Sequence, residues 1–335
     1  MTSPRSSCRT LSIGGATFDL FLRTDNSIIH ECDKLTAFAL PLGSKIRVKD
    51  VISTCGGGAN NTAVGLARLG CTAAFAGVIG NDQWGQILLK NMTDETVDTN
   101  FATVVEEETS SFSLILSADS GERVILYDPG TNRHLHDVTF DRDAAATMDA
   151  VFLNHIHADS CVIEDDIINI LLNLPDIHLS WNPGGCQIEA GLKEKNNKLL
   201  VGHTDLLLLN KEEALAFSGK RTVLEALHVL KEAEAKIIAV TDGKNGAIAT
   251  DGKTLHRCPV IPAPVVDTTG AGDAFGTGMT WALLSGLDLP TALKTGTINA
   301  MSVVGVVGAQ AGLLTQTQIQ EKLESTSIDV TAEPF

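Results

Sequence analysis

The run Asp267-Thr268-Thr269-Gly270-Ala271-Gly272-Asp273-Ala274-Phe275-Gly276 is a glycine-rich turn that opens onto an apolar segment of helical spacing (Phe275, Met279, Ala282, Leu283). The extended stretch Pro262-Ala263-Pro264-Val265-Val266 leads into it. The first turn of a helix has backbone N–H groups without intrahelical partners, and small residues let an anion approach them closely. A carboxylate among those donors can take a proton from an incoming hydroxyl while the N–H groups hold a transferring phosphoryl group. Asp273 also reads as an ordinary helix cap, and the segment alone weighs the two evenly.

Such a turn needs a scaffold, and the chain supplies an alternating one. Strands are expected at Leu11–Gly15, Ala73–Gly80, Val151–His155, Ile177–Trp181, Asp205–Asn210 and Lys236–Thr241. Between and after them helices are expected at Asn61–Leu69, Trp84–Asn91, Ile163–Leu174, Lys211–Ser218, Val223–Ala233, Asp273–Ser285 and Pro290–Ala309. That rhythm predicts a mainly parallel sheet with helices on both faces. Continuous apolar runs such as Leu206-Leu207-Leu208-Leu209 suit strands covered on both sides. Residues 16–51 and 100–127 break the rhythm with strand-like stretches, including Ser111–Leu116 and Arg123–Tyr127 around a turn at Asp119-Ser120-Gly121. They are read as excursions that form a small β lid on a single α/β domain spanning 1–335.

Composition narrows the class. With 335 residues, 44% of them hydrophobic, the chain can bury a large core. A net charge of −16 disfavours nucleic acid and anionic membranes as partners. No apolar run reaches membrane-spanning length, and Met301–Ala309 is short and glycine-rich. Cysteines 8, 32, 55, 71, 161, 186 and 258 are scattered without CxxC spacing, which fits reduced thiols and a cytoplasmic location. Residues 1–8 lack an apolar signal core and read as a frayed tail. His155-Ile156-His157, with Asp159 nearby, has metal-site spacing but no supporting second motif; a strand end near the ligand crevice is the favoured reading.

The chain resembles the ribokinase-like (PfkB) carbohydrate kinases. Val266–Gly278 resembles their C-terminal signature, and Gly56-Gly57-Gly58-Ala59-Asn60-Asn61-Thr62-Ala63-Val64-Gly65-Leu66-Ala67-Arg68-Leu69-Gly70 their N-terminal one. Asn210-Lys211-Glu212-Glu213 is similar to the Asn-x-x-Glu element, and Thr241-Asp242-Gly243-Lys244-Asn245-Gly246 to the nucleotide loop. The elements stand in family order. The resemblance implies a Rossmann-type three-layer sandwich with a small β-strand lid, and ATP-dependent transfer to an alcohol. It implies Asp273 as catalytic base, with Gly270, Ala271 and Gly272 as the anion hole. It places Asn210, Glu213, Thr241, Gly243, Gly246 and Asn299 around ATP, with Glu213 acting on Mg²⁺ through water. Asp19, Gly56, Gly57 and Asn61 fall where the family contacts its sugar. Asp267 and Thr268, with the Gly308–Gly312 loop, fall where some members hold a monovalent cation such as K⁺. A homodimer through the lid follows by analogy.

Each element keeps a plain reading beside the implied one. Asn210 can simply cap a helix whose charged first turn is Lys211-Glu212-Glu213. Residues 241–246 can be a hairpin turn, and Asp19 a turn residue at a strand end. Gly58 and Thr17 stand where ribokinases proper carry lysine and asparagine, which weakens a ribose assignment. Phosphorylated sugars would want a basic pocket, for which only Arg23, Lys45, Arg47, Arg123 and Arg133 are placed. A neutral sugar or polyol is therefore favoured. Nucleosides stay open, with base stacking left to Phe18, Phe112 or Phe101. A nicotinamide oxidoreductase is disfavoured because no Gly-x-Gly-x-x-Gly follows the first strand, and no P-loop is present. A catalytically silent sugar-binding protein of the same fold is the non-enzyme alternative.

Overall fold

Alternate leucines of one strand set the layers. In Leu206–Asn210, Leu207 and Leu209 enter one apolar cluster while Leu206 and Leu208 enter another on the opposite face. Burying each such side chain contributes about 1.5–3 kcal/mol relative to exposure, so the strand is stable only with helices on both sides.

The computed structural model describes residues 8–32, 35–120, 122–136, 145–156, 168–169, 177–262 and 264–335. Its strands are β1 (Arg9–Ile13), β2 (Thr17–Arg23), β3 (Ile29–Cys32), β4 (Leu35–Phe38), β5 (Asp50–Gly56), β6 (Thr72–Ala76), β7 (Val78–Gly80), β8 (Thr103–Val105), β9 (Phe112–Ser117) and β10 (Arg123–Asp128). They continue as β11 (Ala150–Leu153), β12 (His178–Trp181), β13 (Leu206–Asn210), β14 (Ile237–Thr241), β15 (Ala247–Thr250), β16 (Thr254–Cys258) and β17 (Thr331–Pro334). The helices are α1 (Gly58–Arg68), α2 (Gln83–Asp94), α3 (Gly185–Ala190), α4 (Lys195–His203), α5 (Lys211–Ser218), α6 (Val223–Glu232), α7 (Ala271–Leu284), α8 (Leu289–Val303) and α9 (Gln316–Ser325).

The nine-stranded sheet runs β17-β16-β15-β14-β13-β12-β11-β1-β6. Pairings from β14 to β6 are parallel, and β15, β16 and β17 add an antiparallel edge. Leu200, Phe217, Leu227 and Leu230 cover one face from α4, α5 and α6. Leu66, Phe275, Met279, Leu293 and Ile319 cover the other from α1, α7, α8 and α9. This is the three-layer sandwich expected.

A four-stranded sheet, β10-β9-β2-β5, stands apart from the large one. β2 leaves β1 through Gly14-Gly15-Ala16, and β5 leads directly into α1. Strand alternation sorts its side chains. Asp19, Thr54, Ser113 and Tyr127 are in register on one face. Phe18 and Phe112 lie on the other, where Trp84 of α2 stacks with them at centroid distances of 4.5 and 6.4 Å.

The structure departs from expectation in several places. Ala73–Gly80 is two strands, because the chain leaves the large sheet at Gly77 and β7 pairs with β8 instead. The helix expected to Ala309 ends at Val303, after which Gly305 and Gly308 carry a turn. Helices α3, α4 and α9 and the edge strands β16 and β17 were not anticipated. The expected helix Ile163–Leu174, the tail before Cys8, and His157 and Asp159 lie mostly or wholly outside the described residues.

Candidate active site

Most helices with a polar N-cap residue close their first turn with its side chain; α7 does not. Its N-cap is Gly270, in the left-handed region at φ 76°, where a side chain is strained, and a Cβ there would lie 2.4 Å from that of Ala309. Thr269, which could have capped the helix, is turned away: its N–H and hydroxyl donate to Asp267 Oδ1 at 3.0 and 2.8 Å. The Ala271 N–H meets the Thr268 carbonyl at 3.3 Å, so the free donors of the turn belong to Gly272 and Asp273 rather than to the whole Gly270–Gly272 run. Gly272 is exposed, and a Cβ on it would face open space. The start of α7 is thus left open, with backbone donors at Gly272 and Asp273 that no side chain caps.

Asp273 stands in that turn but does not cap it. Its Oδ2 accepts from Asn61 Nδ2 at 2.7 Å, and Asn61 Oδ1 accepts from Gln310 Nε2 at 3.2 Å. Gln310 is itself held, since Arg68 donates to its carbonyl at 2.7 Å while binding Glu95. Burial pushes the Asp273 carboxyl up to about 6; the Asn61 hydrogen bond opposes the rise and the charge of Glu213 adds to it. A carboxylate so placed is ionised at neutral pH and more basic than a free aspartate, which suits a proton acceptor. Asn61 was expected against the sugar; it is 3% exposed and is placed to hold Asp273.

Asn210 and Glu213 form a reciprocal capping box on α5: Asn210 Oδ1 accepts from the Glu213 N–H and Glu213 Oε2 from the Asn210 N–H, both at 2.8 Å. The plain capping reading therefore holds. Yet Glu213 also acts on Asp273 electrostatically, which sets the two carboxylates near one another. Burial raises the Glu213 pKa, the Asn210 N–H opposes this, and Glu212 adds to it. A half-buried carboxylate with spare lone pairs is suited to orienting the waters of Mg²⁺, which prefers oxygen and keeps part of its hydration.

Residues 241–246 form a hairpin. β14 and β15 are antiparallel around them, and the Asp242 N–H bonds the Gly246 carbonyl at 2.8 Å. Thr241 is half-buried, and Gly243 is exposed to open space. Gly246 is buried beneath the turn. Asn299, expected at adenine, is not presented to a cleft. It is fully buried, donates to the Ala274 carbonyl and Thr277 Oγ1, and accepts from the Leu314 N–H, tying α8 to α7.

On the facing side, Asp19 is 6% exposed and in register with Ser113. Burial pushes its carboxyl up to about 6, the Ser113 hydrogen bond opposes the rise, and Asp267 adds to it. A Cβ on Gly56 would lie 2.2 Å from Asp19 Oδ2, so glycine is what lets β5 pass this carboxylate. Gly57, the N-cap of α1, completes the turn beside it. Phe18 and Phe112 are occupied by Trp84, and Phe101 packs against the core, so none is presented beside Asp19. A groove of about 400 Å³ lined by Phe18, Ile87, Asn91 and Gln310 contains neither Asp19 nor Asp273 and lies outside the site.

Arg123 is where sequence reasoning was least specific. It was one of several cations offered for a phosphate pocket. It reaches from β10 to the body, with Nη1 3.0 Å from Asp267 Oδ1 and Nη2 3.0 Å from Thr268 Oγ1. Asp267 is 5% exposed and also accepts from the Gly308 N–H at 3.0 Å. The residues expected to hold a monovalent cation are therefore engaged by a guanidinium, and they do not fit that ion in this arrangement. Arg23 and Arg133 pair with Asp119 and Asp128. Among the described residues no group of three or more His, Cys, Asp or Glu side chains is arranged to hold a metal ion, and no helix is long and apolar enough to cross a membrane.

The chain is similar to known proteins over most of its length. The pfkB family carbohydrate kinase description matches residues 18–316. A sugar kinase of Archaeoglobus fulgidus, described as uncharacterized, is 31% identical over 254 residues, 75% of this chain and 98% of its own length. The ribokinase of Bacillus subtilis is 29% identical over 270 residues, 80% of this chain and 87% of its own. Arabidopsis thaliana ribokinase, solved with ribose and ATP, shares the fold at a TM-score of 0.80 and 20% identity, over 95% of this chain and 99% of that one.

Proposed function

This chain belongs to the pfkB family of carbohydrate kinases, and on that premise we propose that it transfers the γ-phosphoryl group of ATP to a hydroxyl of an unphosphorylated sugar or polyol. It is a phosphotransferase acting on sugar hydroxyls. The observation that carries the proposal is the unblocked first turn of α7, with Asp273 held by Asn61 inside it and Asp19 on the facing sheet.

The acceptor hydroxyl docks between Asp19 and Asp273, with Asp19 accepting hydrogen bonds from neighbouring hydroxyls. As its oxygen forms the new P–O bond, the γ-phosphoryl leaves ADP and the hydroxyl proton passes to Asp273 Oδ. The N–H groups of Gly272 and Asp273 hold the phosphoryl oxygens, and their fixed orientation is what lowers the barrier. A carboxylate of pKa near 6 is far less basic than an alkoxide, so proton transfer accompanies a late, charged transition state. Asn210 and Glu213 would hold Mg²⁺ through its waters, and the ion would neutralise phosphate charge. Thr241 and Gly243 line the nucleotide side.

The acceptor side favours a neutral sugar. Asp19, Asp267 and Asp273 make it acidic, and Arg123 is engaged by Asp267 rather than aimed at the acceptor. The aromatic side chains that might stack a nucleobase lie on the far face of the small sheet. That sheet acts as a lid that excludes water. Its exposed Val51, Val124 and Leu126, with open edges at β5 and β10, suit pairing with a second copy of the chain. ADP release measured over pentoses, hexoses, polyols, sugar acids, sugar phosphates and nucleosides tests the reading. Turnover restricted to phosphorylated sugars or to nucleosides would replace it.

A further inference from the structure

We infer that Arg123 supplies, from the lid, the positive charge at Asp267 and Thr268 that a monovalent cation would otherwise bring, so that turnover needs no such ion and this charge arrives only with lid closure. The inference rests on the kinase reading for its catalytic consequence, but not for its structural content.

Asp267 is a nearly buried carboxylate that organises the approach to α7. Its Oδ1 accepts from the Thr269 N–H and hydroxyl, and its Oδ2 from the Gly308 N–H. Those donors are neutral. The charged donor is Arg123, whose planar fork spans Asp267 Oδ1 and Thr268 Oγ1 with two bonds of 3.0 Å. An alkali cation at this spot would need lone pairs that the guanidinium uses, and would sit against its positive charge.

The origin of the arginine gives the arrangement a consequence. Arg123 opens β10, an edge strand of the small sheet that is paired on one side only, by β9. If the sheet swings away, Asp267 loses its one charged donor. Thr269 and Gly308 hang from the same carboxylate, so the turn that presents Gly272 and Asp273 loosens as well. Closing the lid and setting the anion site are thus one electrostatic event. Arg123 is a positioning residue in this scheme, since it touches Asp267 and Thr268 and not the reacting atoms.

Three proteins test this: the parent, Arg123→Met, which keeps length without charge, and Arg123→Lys, which keeps charge without the fork. Arg123 is 37% exposed, so each variant is expected to fold, as far-UV circular dichroism would verify. Substrate-free melting is compared in KCl and in tetramethylammonium chloride at equal ionic strength. The parent should melt identically in both, whereas Arg123→Met should melt lower and be raised by K⁺. In turnover the parent should be indifferent to the salt. Arg123→Met should lose about tenfold to a hundredfold in kcat and regain part of it with K⁺ or guanidinium ion, with Arg123→Lys between them. A parent that requires K⁺, or an Arg123→Met enzyme as fast and as stable as the parent without K⁺, would overturn the inference. So would a crippled Arg123→Met that neither ion rescues nor stabilises. If no acceptor supports turnover, the kinase reading fails, while the melting comparison still decides the role of Arg123.

Discussion

The hydrogen bond from Asn61 to Asp273 should be visible in the pH dependence of turnover. Burial sets the Asp273 carboxyl near 6, so kcat should climb with pH through about 6 and level off above it. A hydrogen bond to a charged group is worth about 1.5–3 kcal/mol, and one pKa unit corresponds to about 1.4 kcal/mol. Asn61→Leu removes a donor to the ionised form, which raises the pKa and moves the acid limb upward by about one to two pH units. At pH 6, where the parent is itself half ionised, the variant should be about fivefold to fiftyfold slower, and it should recover most of its rate by pH 9. Glu213→Gln has the opposite sign: it keeps the capping box but removes a negative charge that raises Asp273, so the limb moves down. Asp19 is also pushed to about 6, so a limb near 6 alone does not identify the base. Asn61 donates to Asp273, and a shift in the limb on its removal points to Asp273. Stopped-flow or coupled ADP assays from pH 5 to 9.5, with saturating substrates, supply the data. An Asn61→Leu enzyme slowed equally at every pH, with its limb unmoved, would refute the assignment of Asp273 as the titrating base.

Asp273→Asn should lose at least about a hundredfold in kcat while binding ATP with unchanged affinity by calorimetry. The folded-state pKa values of Asp19 and Asp273 lie above the ordinary 3.8, so their contribution to stability is full below about pH 4 and lost as pH rises through about 6. Asp19→Asn should therefore melt above the parent at pH 8, by about 1–3 kcal/mol, with the advantage vanishing at pH 4; a reversed sign would contradict the burial argument. Gly56→Ala places a methyl 2.2 Å from Asp19 Oδ2, and should raise the acceptor KM more than about tenfold while sparing the KM for ATP in initial-rate measurements. Gly270→Ala meets both a left-handed backbone and Ala309; it should cost about 1–3 kcal/mol or more in denaturant unfolding and remove turnover.

Much of this was written in local pattern. The period of two in Leu206–Leu209 and the helical spacing after Asp273 specify a covered sheet and its outer helices without reference to distant residues. The glycine-rich run before Asp273 likewise announces a helix start left open. What escaped is long-range. Nothing near Asn299 says that its amide is consumed by Ala274, Thr277 and Leu314, because that depends on α8 packing across α7. Nothing near Gln310 says that it will orient Asn61, 249 residues away. Arg123 looked like any cation on a strand, and its partner lies 144 residues further along. The edge strands β16 and β17 were missed because short alternating segments carry little helix-versus-strand information.

The carboxylates explain why these long-range contacts take the form they do. Burial raises the pKa values of Asp19 and Asp273, Asp267 adds to the rise at Asp19 and Glu213 to that at Asp273, and each of the four carboxylates is compensated differently. Asp267 has a guanidinium, Asp273 an amide, Asp19 a hydroxyl, and Glu213 the backbone of its own helix. Only the first is a full opposing charge. It goes to the carboxylate whose task is to hold the chain, while the carboxylate proposed as base receives a neutral donor. A full positive charge on Asp273 would lower its pKa and weaken it as a base, so a neutral amide is the partner that holds its position without spoiling its basicity. In the proposed reaction the same logic would leave the site short of positive charge until Mg²⁺ and the phosphates arrive together, and it would turn away an acceptor that brings negative charge of its own.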